Sequence, residues 1–122
     1  MVPLSVILVV DDEPDLRFLL RRVFEAGGHE VLEAGNGADA LASVRRSPPD
    51  LVVTDVMMPV MDGVELIRRL RGDPTVRTIP IVAVSGHGHL AAHADAVVAK
   101  PFHSPTLLAT VNVLLARKAA QT

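Results

Sequence analysis

Short runs of apolar, β-favouring residues alternate along the whole chain with segments whose apolar residues recur at helical spacing, and this alternation limits the folds open to it. The strand-like runs are Ser5–Val10 (SVILVV), His29–Ala34, Asp50–Thr54 (DLVVT), Pro80–Val84 and Ala96–Ala99. Runs such as SVILVV, apolar at successive positions, suit strands buried on both faces, as in a parallel sheet. Between them Leu16, Leu19, Leu20, Val23 and Phe24 form one apolar face of a helix that Pro14 opens and Gly27-Gly28 stops. Asn36–Arg46 turns Ala40, Leu41 and Val44 inward, and Gly63–Arg71 does the same with Val64, Ile67 and Leu70. Ser104 can cap a last helix with Pro105 in its first turn and Leu107, Leu108, Val111, Leu114 and Leu115 inward. About five strand–helix alternations predict an α/β fold, a doubly wound five-stranded parallel sheet with helices on both faces.

One connection breaks the rhythm. Only Ser85–Asp95 (SGHGHLAAHAD) joins the fourth strand to the fifth. A parallel crossover usually takes a dozen or more residues, so the fourth helix is expected to be shortened or irregular, and its glycines predict a mobile segment.

Composition narrows the function. The 122 residues fit one domain, expected to have its core over about 4–117, a polar tail over 118–122 and no effector domain. Aromatic residues are 2% of the chain, so the core is built of Leu, Val, Ile and Ala. A net charge of −2 gives no basic footprint for nucleic acid. With no cysteine, disulfides, thiolate metal sites and Cys nucleophiles are excluded. No apolar run has the length of a membrane span, and the N-terminal run lacks a basic region before it. The expectation is a soluble cytoplasmic domain, with no direct nucleic-acid or membrane partner.

In open parallel sheets ligands collect at the carboxyl ends of the strands. Asp11 and Asp12 follow the first strand, Asp55 the third, Ser85 the fourth and Lys100 the fifth. Three carboxylates brought together repel unless a cation joins them. An all-oxygen cluster suits Mg²⁺. With a Lys and a hydroxyl nearby, it makes a phosphoryl-transfer site in which a carboxylate oxygen attacks. Lys100 is one of two lysines against ten arginines. His87, His89 and His93 do not match a compact zinc motif and read as solvated loop residues, while Glu13 and Asp62 read as surface or helix-end charges.

The pieces VVDDEPD (Val9–Asp15), DLVVTDVMMPVMDG (Asp50–Gly63), VSG (Val84–Gly86) and KPF (Lys100–Phe102) resemble the receiver domain of two-component response regulators, the CheY-like family. The resemblance spans nearly the whole chain. It implies a flavodoxin-like strand order 2-1-3-4-5. It implies Asp55 as phosphoacceptor from a sensor histidine kinase or histidine phosphotransfer protein. Mg²⁺ would be held by Asp11, Asp12, Asp55 and the Met57 backbone carbonyl. Ser85 and Lys100 would contact the phosphoryl group, and Pro101 would follow a cis peptide. Met57 and His87 match rim positions that tune autodephosphorylation. The chain would then be a phosphorylation-dependent switch, monomer or weak dimer, signalling to a downstream protein and not a metabolic enzyme.

Two departures stand out. The interval from Ser85 to Lys100 is 15 residues, shorter than the resemblance implies. The place of an aromatic residue three positions before the Lys is taken by Val97. They motivate an alternative, an atypical receiver acting as a phosphorylation-independent interaction module. A phosphatase of the haloacid dehalogenase type also uses an Asp nucleophile, but it wants a DxD pair, whereas Asp55 is followed by Val56-Met57 and Asp11-Asp12 are adjacent.

Overall fold

A computed structural model describes residues 4–86 and 93–121. The strands are β1 (Val6–Val10), β2 (Glu30–Ala34), β3 (Leu51–Asp55), β4 (Ile81–Ser85) and β5 (Ala96–Ala99). The described helices are α1 (Pro14–Ala26), α2 (Gly37–Arg46), α3 (Gly63–Gly72) and α4 (Ser104–Ala120). All strand pairs are parallel, in the order β2-β1-β3-β4-β5. This is the doubly wound, flavodoxin-like sheet expected from the sequence. The shortened helix and the mobility expected over Ser85–Asp95 turn on residues 87–92, which lie outside the described residues; the fourth described helix is α4.

The continuous apolar runs fill both faces of the sheet, since successive strand side chains point to opposite sides. Ile7, Val9, Leu51, Val53, Val82 and Val84 pack with Leu20 and Phe24 of α1 and with Leu107, Val111, Leu114 and Leu115 of α4. Leu8, Val10, Val52 and Ile81 pack on the other face with Ala40, Leu41 and Val44 of α2 and Leu66, Ile67 and Leu70 of α3.

Details of α1, α3 and α4 differ from expectation. Leu19 is exposed in α1, and in α3 Val64 is exposed while Leu66 is buried. Spacing defines an apolar arc, but packing on the sheet decides which edge of that arc turns inward. In α4 the N-cap position is His103 and Ser104 is the first helical residue, with no side-chain cap bond. The helix also runs to Ala120 through much of the expected tail, where Lys118 donates to the Asp50 carbonyl at 3.3 Å.

Asn36 and Asp62 cap α2 and α3, accepting from the main-chain N–H of Asp39 and Glu65 at 2.9 Å. Asp62 is thus a helix-end charge, as its position suggested. Gly63 starts α3 where it nearly touches the end of β3: a Cβ there would lie 2.1 Å from the Asp55 carbonyl oxygen. Only a glycine lets the loop after Asp55 turn back so tightly, and its N–H donates to Val56 O at 2.8 Å.

Candidate functional site

The carboxyl ends of β1, β3, β4 and β5 meet beside the point where the strand order reverses, between β1 and β3. Asp11 directly follows β1 and is buried, its main-chain N–H donating to Ala34 O at 3.1 Å. One carboxylate oxygen, Oδ1, accepts from the N–H of Glu13 at 2.9 Å. Asp55 is the last residue of β3, and its Oδ1 accepts from the N–H of Val56 at 2.8 Å. Asp12 is exposed at the mouth. Carboxylate oxygens of Asp11, Asp12 and Asp55 can all lie within 4.8 Å of one another.

Lys100 reaches into this group from the end of β5. Its Nζ stands 3.2 Å from Asp55 Oδ2 and 3.8 Å from Asp11 Oδ2. Its main-chain N–H donates to Ser85 O at 3.2 Å, extending the β4–β5 pairing by one residue. The Lys100–Pro101 peptide is cis, as expected. Ser85 ends β4 and is buried.

The electrostatics follow from this packing. Burial pushes the Asp11 carboxyl above its ordinary range; the Glu13 N–H works against that, and the charge on Asp55 adds to it. Among the described residues one ammonium, that of Lys100, faces two of the three carboxylates, which leaves negative charge in the cluster. The donor set is all oxygen, and its spacing allows the three carboxylates to converge on one hard cation. These residues fit Mg²⁺.

Met57 lies two residues past Asp55 with an exposed side chain. His87 and His89 lie outside the described residues, and His93 is exposed. Val97 faces outward on β5, 44% exposed. Arg17 also reaches the site, its Nη1 donating to the Asp11 carbonyl at 2.7 Å; in the sequence a charged residue beside the apolar stripe of α1 reads only as a surface charge. Among the described residues no helix is long and apolar enough to cross a membrane.

A family model for the response regulator receiver domain matches residues 7–112. The chain is 40% identical over 118 residues to the phosphate regulon transcriptional regulatory protein PhoB of Rhizobium meliloti, covering 91% of this chain and 52% of that protein. It therefore spans about half the length of that relative. It is 35% identical over 120 residues to protein PilH of Pseudomonas aeruginosa, covering 90% of this chain and 97% of PilH. A crystal structure of the signal receiver domain of a signal transduction histidine kinase from Syntrophus aciditrophicus superposes with a TM-score of 0.86 at 32% identity, covering 92% of this chain and 90% of that one.

Proposed function

Because this chain belongs to the response regulator receiver domain family, we propose that it is a phosphorylation-driven signalling switch that takes a phosphoryl group onto Asp55 from a protein phosphohistidine. The observation that carries this reading is the placement of Lys100 Nζ at 3.2 Å from Asp55 Oδ2, within a cluster of three carboxylates.

The chemistry follows from the residues. A carboxylate oxygen of Asp55 attacks phosphorus; the O–P bond forms, the P–N bond breaks, and the leaving imidazole takes a proton. The N–H of Val56 fixes one oxygen of the nucleophile and so orients the other. Lys100, already beside Asp55, neutralises the charge that the phosphoryl oxygens bring. The hydroxyl of Ser85, at the end of the neighbouring strand, hydrogen-bonds another phosphoryl oxygen. Asp11, Asp12, Asp55 and the Met57 carbonyl are the groups that would hold Mg²⁺, which supplies electrostatic stabilisation of the phosphoryl oxygens when bound. The same groups admit water for slow loss of the phosphoryl group.

An apolar groove of about 550 Å³, lined by Leu16, Leu19, Pro101 and Phe102, opens beside Lys100. With the exposed Leu19 on its rim, this groove offers the apolar surface on which the phosphodonor protein would dock. Val97 favours a second reading of the output: with no ring at this position, downstream contact need not follow phosphorylation. A partner whose affinity is the same for both forms would establish it.

The test is the intact mass after incubation with a small acyl phosphate. A gain of one phosphoryl group that requires Mg²⁺ and is lost in Asp55→Asn supports the reading. Stoichiometric labelling that persists in Asp55→Asn refutes it.

A further inference from the structure

Asp11 and Asp12 share one peptide bond, so the orientation of that peptide plane sets where both carboxylates can point. Its carbonyl oxygen belongs to Asp11 and lies past the end of β1. Arg17 holds it, Nη1 donating at 2.7 Å. Arg17 is itself fixed from the neighbouring strand, with Nε 3.0 Å from Glu33 Oε1. The other oxygen of Glu33 takes Arg21 Nη1 at 2.6 Å, and Arg21 Nε reaches Glu25 Oε1 at 3.3 Å.

Glu33 stands opposite Val9 in the β1–β2 register, and Ala34, the next residue, accepts the Asp11 N–H. The end of β2 thus grips the Asp11 main chain twice, directly through Ala34 and indirectly through Glu33 and Arg17. With Oδ1 bound by the Glu13 N–H, Oδ2 is the Asp11 atom turned toward Lys100, at 3.8 Å. The charge of Arg17 is spent on Glu33, whose carboxyl Arg21 and Arg17 hold below its ordinary range. What Arg17 contributes at the site is direction, through a main-chain hydrogen bond.

We infer that Arg17, anchored by Glu33, is a positioning residue that sets the Asp11–Asp12 peptide plane for divalent-cation binding. The inference rests on the metal reading given above. Partners one bond beyond metal ligands typically change affinity by about 10- to 100-fold when removed, and a main-chain contact belongs at the low end.

Calorimetric titration with Mg²⁺ alone decides it, on folded variants checked by far-UV circular dichroism. Arg17→Ala is expected to weaken Mg²⁺ about tenfold, while Arg17→Lys recovers part of the loss, since an ammonium can reach the carbonyl. Glu33→Gln keeps Arg17 but loosens it and is expected to fall between wild type and Arg17→Ala. Arg21→Ala is expected to stay near wild type. In acyl-phosphate labelling the half-saturating Mg²⁺ concentration rises in Arg17→Ala, while that for the acyl phosphate holds, a split that a general loss of packing would not produce. Mg²⁺ binding by Arg17→Ala equal to or tighter than wild type overturns the role of Arg17 and leaves the metal reading standing. A wild-type protein that binds no Mg²⁺ overturns the metal reading, and this inference with it.

Discussion

Gly63→Ala adds one methyl group at the point where α3 begins against the end of β3. That methyl would lie 2.1 Å from the Asp55 carbonyl oxygen and 2.8 Å from the Val56 Cα. Both neighbours are main chain, and Val56 is buried, so no side chain can rotate out of the way. Cβ atoms essentially never approach other atoms within 3.0 Å, so helix and strand end must part by most of an ångström. The 2.8 Å bond from the Gly63 N–H to Val56 O stretches with them. Overpacking of this kind costs about 1–3 kcal/mol, and a lost hydrogen bond adds about 1 kcal/mol. The variant is therefore expected to lose about 2–4 kcal/mol of stability. Helix propensity predicts the opposite sign, since Ala improves on Gly in a helix by about 0.5–1 kcal/mol. The sign alone thus tests the close approach. Gly72→Ala, at the far end of the same helix with nothing within 4 Å of the added carbon, is expected to be neutral or slightly stabilising. Urea unfolding followed by far-UV circular dichroism is the assay, as the chain has no Trp or Tyr. A Gly63→Ala protein as stable as wild type would refute the argument. Because the Asp55 main chain must move, phosphoryl labelling of the folded variant is also expected to slow.

Two pH effects of opposite sign follow from the carboxylates. Glu65, hydrogen-bonded by Arg68 and then Arg69, is held down to about 2 from an ordinary 4.5. Its stabilisation is present above 4.5 and is lost as pH falls toward 2; Glu65→Gln is expected to flatten the stability–pH curve across that window, and an unchanged acid limb would contradict the assignment. Asp11, raised by burial, costs stability once the pH exceeds the ordinary carboxylate range, and the cost is absent below it. In chelator-treated protein Asp11→Asn is expected to melt higher than wild type at pH 7, the gap closing as the solution is acidified; a lower neutral melting point would show that the carboxylate is stabilising where it stands.

Much of this was legible in the residues. The strand runs, made of β-branched and aliphatic side chains, could be buried on both faces in a parallel sheet. Once that was granted, Asp11, Asp12, Asp55, Ser85 and Lys100 all fell at strand carboxyl ends in chain order; the structure gathers Asp11, Asp12, Asp55 and Lys100, and Ser85 ends the strand that pairs with the one before Lys100. The exposure of Leu19 and Val64 was not legible, because a helix's inward arc is centred by the sheet it lies on and not by its own periodicity. Arg17 and the tight contact at Gly63 were hidden for a related reason. Each depends on a main-chain atom from another segment, the Asp11 carbonyl or the Asp55 carbonyl, and main-chain atoms leave no mark in a sequence. The start of α4 differed by one residue because Ser and Pro both suit a first turn, and neither fixes which residue enters it.

The strand order also bears on the vectorial emergence of the chain from the ribosome. β1, β2, β3 and β4 are adjacent in the sheet and can pair before β5 has been made, setting Asp11, Asp12 and Asp55 near one another with no ammonium among them. The sheet face formed by Ile7, Val9, Leu51 and Val53 has α1 to cover it but waits for Leu107, Val111, Leu114 and Leu115. Neutralisation of the acidic cluster and closure of that half of the core therefore both depend on residues 100–115. A nascent chain short of them carries like charges in close quarters over an open apolar surface, and the same stretch of synthesis relieves both.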